Sequence, residues 1–107
     1  MSATYKKELT LTGTMIRNEY FGFPWSVYFV ISKRDMLQYI PQDIYGIMSK
    51  SNGIFMVINA ETRDEIILNF GEEFEQEAVV TISQVNLMFN TYTLINSIEI
   101  LSFEKLL

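Results

Sequence analysis

Lys7-Glu-Leu-Thr-Leu-Thr-Gly-Thr-Met-Ile16 sets Leu9, Leu11, Gly13 and Met15 on one side and Glu8, Thr10, Thr12 and Thr14 on the other. A period of two with β-branched residues on the polar side makes a strand buried on one face. Glycine inside such a strand marks a bulge or a sharp bend. A strand that bends can serve both sides of a small barrel, so the fold turns on whether the chain supplies partners for it.

It supplies four. Trp25-Ser-Val-Tyr-Phe-Val-Ile-Ser32 is apolar on both faces and reads as a central strand. Ile54 to Asn59 is a third and Ala78 to Val85 a fourth. A last strand begins at Asn90, with Tyr92, Leu94, Ile98 and Ile100 on one face, and the short Val85-to-Asn90 link makes the final pair a hairpin. Between the second and third strands, Ser32-Lys-Arg-Asp35 has capping-box spacing, with Asp where Glu is preferred. Met36, Leu37 and Ile40 follow, Pro41 forces a break, and Ile44, Ile47 and Met48 form a new stripe. This predicts a broken helix over 34–49, closed by the turn Ser51-Asn-Gly53. Thr62-Arg-Asp-Glu65 repeats the capping box and opens a short helix through Ile66, Ile67, Leu68 and Phe70 that Gly71 stops. A strand over 65–70 is the competing reading. Residues 72–77 read as an acidic loop.

The chain has 107 residues, the size of one domain, with no internal repeat or linker. Roughly 65% of the unfolded surface can be buried at this length. With 49% hydrophobic and 14% aromatic residues it has the material for one core without a disulfide or a metal, and it is too rich in aromatics to be disordered. The expectation is a single β-rich domain over residues 1–107. Its core would include Leu9, Leu11, Val27, Phe29, Phe55, Val57, Val80, Ile82, Leu94 and Ile98. The six methionines need no other role than filling gaps in apolar runs.

Several kinds of chemistry are excluded by composition. The chain contains no histidine and no cysteine, so no imidazole base, Ser-His-Asp triad, thiolate nucleophile or His/Cys metal site can be built from it. Five unclustered glycines encode no phosphate cradle. Asp64 and Glu65 have a sufficient role as first-turn acids that favour the helix dipole. Glu72, Glu73, Glu75 and Glu77 lack calcium-loop spacing and read as a solvated acidic face. A non-enzymatic protein without metal or cofactor is therefore expected. The N-terminus has no signal-peptide core, and no apolar run approaches the roughly 20 residues of a membrane span. The lack of cysteine fits a reducing compartment, so the expectation is a soluble cytoplasmic protein that does not engage a membrane.

Charge is unevenly placed. Residues 1–50 carry +2 and residues 51–107 carry −7, for a net −5. Most of the deficit lies in 61–77, where Arg63 alone faces seven acids. An acidic chain repels phosphate backbones.

The order of these elements suits a small barrel. Leu9-Thr-Leu-Thr-Gly-Thr-Met-Ile resembles the opening strand, with its bend glycine, of small oligonucleotide-binding (OB) folds of the tRNA-anticodon-binding-like kind. Glu77-Ala-Val-Val-Thr-Ile-Ser-Gln-Val followed by Thr91-Tyr-Thr-Leu-Ile-Asn-Ser-Ile-Glu-Ile is similar to their closing hairpin. The resemblance covers about half the chain. It implies a mainly β fold: a small five-stranded OB-like barrel, or a strongly curved antiparallel sheet, with a short helical insertion.

One segment carries the functional expectation. Arg17-Asn-Glu-Tyr-Phe-Gly-Phe-Pro-Trp25 packs four aromatics, a glycine and a proline into the connection between the first two strands. Such loops lie at the surface. The aromatics either fold back as a plug for one barrel end or are offered to a partner, and aromatics beside arginine are common at contact surfaces. In OB-like barrels this loop borders the ligand face. Tyr20, Phe21 and Phe23, with Arg17, Lys33 and Arg34, are the candidate binding residues, and Glu72, Glu73, Glu75 and Glu77 form a second, acidic face. A protein partner is favoured, with the chain as an accessory or inhibitory subunit. A single-stranded nucleic acid is the alternative, with bases stacked on the aromatics and phosphates near the cations. Oligomeric state is left open.

Overall fold

The computed structural model describes residues 2–23, 26–39, 53–88 and 96–106. The first strand, β1 (Ser2–Arg17), is followed by β2 (Tyr28–Val30), helix α1 (Lys33–Tyr39), β3 (Ile54–Val57), helix α2 (Ala60–Phe70), β4 (Phe74–Met88) and β5 (Asn96–Lys105). The strands close into a barrel in the order β1-β2-β3-β5-β4. Every neighbouring pair is antiparallel except β3–β5, which is parallel, with α2 and β4 intervening between the two strands. A mainly β fold, a closed five-stranded barrel, is the result.

β1 alternates as its sequence dictates. Leu9, Leu11 and Met15 are buried, while Glu8, Thr10 and Thr12 are exposed. The inward row continues across the barrel: Met15 lies opposite Phe29, Phe29 opposite Phe55, Leu11 opposite Val80 and Leu9 opposite Ile82. Of the ten predicted core positions, nine are buried and Leu94 lies outside the described residues. Ile66 of α2 is also fully buried in this core, so the helix closes the barrel with one apolar side chain, backed by the half-buried Ile67 and Phe70.

Several expectations need correction. The bulge falls between Lys6 and Leu9, whereas Gly13 pairs regularly with Ala78. Gly13 is needed for close approach instead: a Cβ there would meet the Val30 carbonyl oxygen at 2.5 Å and the Phe29 ring at 2.6 Å. Residues 72–77 are not all loop, because β4 begins at Phe74 and sets Glu75 opposite Ile16 and Glu77 opposite Thr14. The solvated outer side of the sheet tolerates these acids, so their charge does not prevent strand formation. β2 spans only Tyr28–Val30 of the predicted 25–32. The Ser32 hydroxyl does cap α1, accepting the Asp35 N–H at 3.1 Å; residues 40–52 of the predicted broken helix, Pro24 and Trp25, and the start of the last strand at 90–95 lie outside the described residues.

The competing readings of 65–70 resolve to helix, but α2 starts earlier than its capping box, with Asn59 at the N-cap. Asn59 makes no side-chain cap. β3 ends one residue short of where its partner continues, and the amide of Asn59 replaces the missing rungs. After the Ile58 N–H has bonded the Ile98 carbonyl, Asn59 Nδ2 donates to the Ile100 carbonyl at 2.7 Å and Asn59 Oδ1 accepts the Ile100 N–H at 3.1 Å. The Thr62 hydroxyl donates to the same carbonyl. Asn59→Leu should therefore lower stability by roughly 2 kcal/mol, two net hydrogen bonds of about 1 kcal/mol each with polar groups left stranded. Urea unfolding measures it. A loss below about 0.5 kcal/mol, as for an ordinary surface change, would refute the role.

Candidate functional site

Parts of the two segments singled out from sequence line one cleft. Arg17 is the last residue of β1 and extends the inward row that holds Leu9, Leu11 and Met15, so its side chain leaves the barrel at the mouth. Its Nη1 donates to the carbonyl of Glu72, in the turn between α2 and β4. The Nε of Arg17 is buried and has no acceptor among the described residues. Arg17, Asn18 and Glu19 of the aromatic loop and Glu72 and Glu73 of the acidic turn line a cleft of about 220 Å³.

Both walls are braced. The turn is held where Phe70 and Phe74 meet edge to face at 5.3 Å and the Gly71 N–H bonds the Ile67 carbonyl at 2.9 Å. Phe103 packs edge-on against Phe70 at 5.7 Å, and the Lys105 ammonium lies 5.9 Å from the centre of the same ring. The loop is wound around Tyr28, which is buried. Its phenol oxygen accepts the Phe23 N–H at 2.8 Å, Phe21 meets its ring edge-on at 5.3 Å, and Gly22 lies so close to the ring that a side chain there would overlap it. Asn18 Oδ1 accepts the Tyr20 N–H at 2.9 Å, a local turn bond that sets the loop's first corner.

This bracing sorts the aromatics. Tyr20 is 89% exposed and Phe23 41% exposed, whereas Phe21 is half-buried against Tyr28. Phe21 is thus largely packing, whereas Tyr20 and Phe23 remain exposed. Phe21 does not enter the barrel as a plug: it packs on Tyr28, on the outer side of the sheet. Tyr28 is the residue that sequence reasoning missed, having been assigned simply to a strand.

The electrostatics of the face are negative. The Tyr20 phenol is held above its ordinary pKa by a hydrogen bond with Glu19, then by desolvation and by the charge of Glu73. Arg63, the base nearest in sequence to the acidic turn, pairs with Asp64 at 3.3 Å. Glu75 and Glu77 are exposed along β4. Lys33 and Arg34 follow β2 in the chain, at the opposite end of that strand from the aromatic loop. They begin α1, beyond Val30, while the aromatic loop enters β2 at Tyr28. Arg34 is exposed there.

Among the described residues no three acidic, histidine or cysteine side chains converge as ligands for a metal. No described helix is long and apolar enough to cross a membrane. Comparison with known protein families, with curated proteins and with solved structures finds no match to this chain.

Proposed function

We propose that this protein is a non-enzymatic binding module that acts through a protein partner, as an accessory or inhibitory subunit, and that it docks through the barrel end formed by the aromatic loop and the acidic turn. The observation that carries the reading is Tyr20, almost fully exposed on a loop fixed by Tyr28, together with the partly exposed Phe23 of the same loop. A braced loop loses little freedom on binding, so its exposed aromatics convert contact into affinity efficiently. Exposed aromatic clusters on an otherwise closed barrel mark interaction surfaces.

A second reading is favoured by the fold. A closed five-stranded barrel with a helix between its third and fourth strands and a closing hairpin supports the OB-like resemblance, and the loop between the first two strands borders the ligand face in such barrels. A single-strand nucleic-acid binder would use the same aromatics for stacking. Against it stand Glu19, Glu72 and Glu73, which line the cleft where phosphates would pass.

Two measurements separate these readings. Tyr20→Ser and Phe23→Ser should leave stability within about 0.5–1 kcal/mol of the parent, as exposed positions do, while weakening partner binding by roughly 2 kcal/mol each if both are hot spots. Phe21→Ser should instead destabilise, through its contact with Tyr28. Unchanged partner binding in both exposed-site variants would dismiss the docking reading. Retention of labelled single strands at about 50 mM salt, lost steeply as salt rises, would favour nucleic acid in its place.

A further inference from the structure

We propose that the cleft beside Arg17 receives the uncharged side-chain amide of an asparagine or glutamine on the docking partner. Its carbonyl oxygen accepts from the Arg17 guanidinium, and its NH2 donates to Glu72 or Glu73. The inference rests on the docking reading above and adds what the partner must carry. It starts from Arg17 Nε, the one buried side-chain nitrogen or oxygen without a hydrogen-bond partner among the described residues. A buried N–H on a charged group is costly to leave unpaired, so it calls for an acceptor. The acceptors lining the cleft are engaged or turned to solvent. Asn18 Oδ1 is taken by the Tyr20 N–H, the Glu19 carboxylate by the Tyr20 phenol and the Glu72 carbonyl by Arg17 Nη1. Glu72 and Glu73 are themselves exposed.

The guanidinium is held at one edge, where Nη1 meets the Glu72 carbonyl. Its other edge, Nε with Nη2, is a two-donor fork. Nε is sealed from solvent in the free protein, so the group turns about its Nη1 anchor to offer that fork to the cleft. Charge then selects the occupant. A carboxylate matches an arginine fork well in isolation, but here it would lie among Glu19, Glu72 and Glu73. A lysine or arginine head would meet Arg17 itself. An uncharged amide escapes both repulsions and brings an acceptor and two donors to a cleft lined by both kinds of group. A backbone peptide group serves less well. Its C=O and N–H point in opposite directions across the trans bond, so it answers one wall only. A primary amide carries both on one carbon, and a cleft of about 220 Å³ has room for it.

The test uses the full chain labelled with nitrogen-15, in which the Arg17 Nε–H gives its own signal, assigned by its loss in Arg17→Lys. Four probes of one skeleton are titrated in: phenylpropanamide, its N-methyl amide as a backbone mimic, phenylpropanoate and phenylpropylammonium. The primary amide should move the Arg17 Nε–H signal and the amide signals of residues 17–19 and 72–73. It should bind roughly tenfold or more tightly than each of the others, a difference equal to about 1.4 kcal/mol. Arg17→Lys, which keeps the charge and loses the fork, should remove that preference. Glu72→Gln with Glu73→Gln should erase the advantage over phenylpropanoate, because the charge that excludes an anion is gone. In the parent protein, equal or tighter binding of phenylpropanoate or phenylpropylammonium would refute the amide. Equal binding of the N-methyl amide would overturn the side-chain amide and give the cleft to a peptide backbone. Shifts confined to residues 20–23, with the Arg17 signal unmoved, would leave the docking face standing and overturn the cleft. Silence from all four probes would also overturn the cleft; the docking reading falls with it only if Tyr20→Ser and Phe23→Ser leave partner binding unchanged.

Discussion

Gly13→Ala should melt well below the parent protein, by roughly 12–24 °C. The new methyl group would lie 2.5 Å from the Val30 carbonyl oxygen and 2.6 Å from the Phe29 ring, both closer than carbon atoms tolerate. One of these neighbours belongs to the backbone of β2, so β1 and β2 must separate to admit it. Overpacking of this kind costs typically 1–3 kcal/mol, and a backbone neighbour that cannot rotate away places the change at the top of that range. At about 4–8 °C per kcal/mol for a domain of this size, 3 kcal/mol gives the shift stated. A cycle with Phe29→Ala isolates the cause. Phe29→Ala alone should cost about 3–5 kcal/mol through the cavity it leaves. The double variant should be more stable than the sum of the two by about 1 kcal/mol or more, because the methyl group then occupies space that the ring has vacated. Strict additivity would mean that Gly13 is not constrained by Phe29.

Gly53→Ala should be as damaging for a different reason. Gly53 has φ of 71°, in the left-handed region where a side chain costs about 1–2 kcal/mol. A Cβ there would also overlap the Ile31 carbonyl oxygen. The neighbouring Ile31 N–H donates to the Gly53 carbonyl at 2.9 Å, so relieving the overlap breaks the bond that ties the end of β2 to the start of β3. A total loss of about 3 kcal/mol or more follows from strain, overlap and the bond. Gly71→Ala is the control. Its φ is 104°, but the nearest atom to a Cβ is the Glu73 carbonyl at 4.0 Å, so strain acts there without collision. Chemical unfolding should rank Gly53→Ala clearly above Gly71→Ala. Equal losses would show that backbone strain alone accounts for Gly53.

Much of the fold was legible because period-two alternation is a local property. β1 could be read from the positions of Leu9, Leu11 and Met15, and the pairing of β4 with β5 from two successive apolar runs, although β4 runs on to Met88, past the Val85 at which the sequence reading ended it. The stop of α2 at Gly71 and the Ser32 cap of α1 are equally local, each a single residue acting on its own turn. Boundaries were less legible. Acids at 75 and 77 look like loop until β1 is known to lie alongside, because a strand's outer face accepts charge when a partner's backbone satisfies its hydrogen bonds. Asn59 looks like the end of a strand or a helix cap, and its bonds to Ile100 exist only once β5 has arrived beside β3.

For the candidate site, residue identities were visible and their grouping was not. An aromatic loop at 17–25 and an acidic run at 72–77 can each be seen in the sequence, as can the lack of histidine and cysteine that excludes the commonest catalytic and metal chemistry. Composition and alternation alone determined a β-rich chain with an apolar core and two unusual surface segments. Only the tertiary structure decided that these segments share one barrel end, that Tyr20 and Phe23 are exposed while Phe21 packs on Tyr28, and that Arg34 lies beyond the far end of β2. The reason is physical. Alternation is written residue by residue, whereas the meeting of Arg17 with Glu72 depends on β1 and β4 pairing along their whole length, a contact between distant parts of the chain that no local pattern encodes.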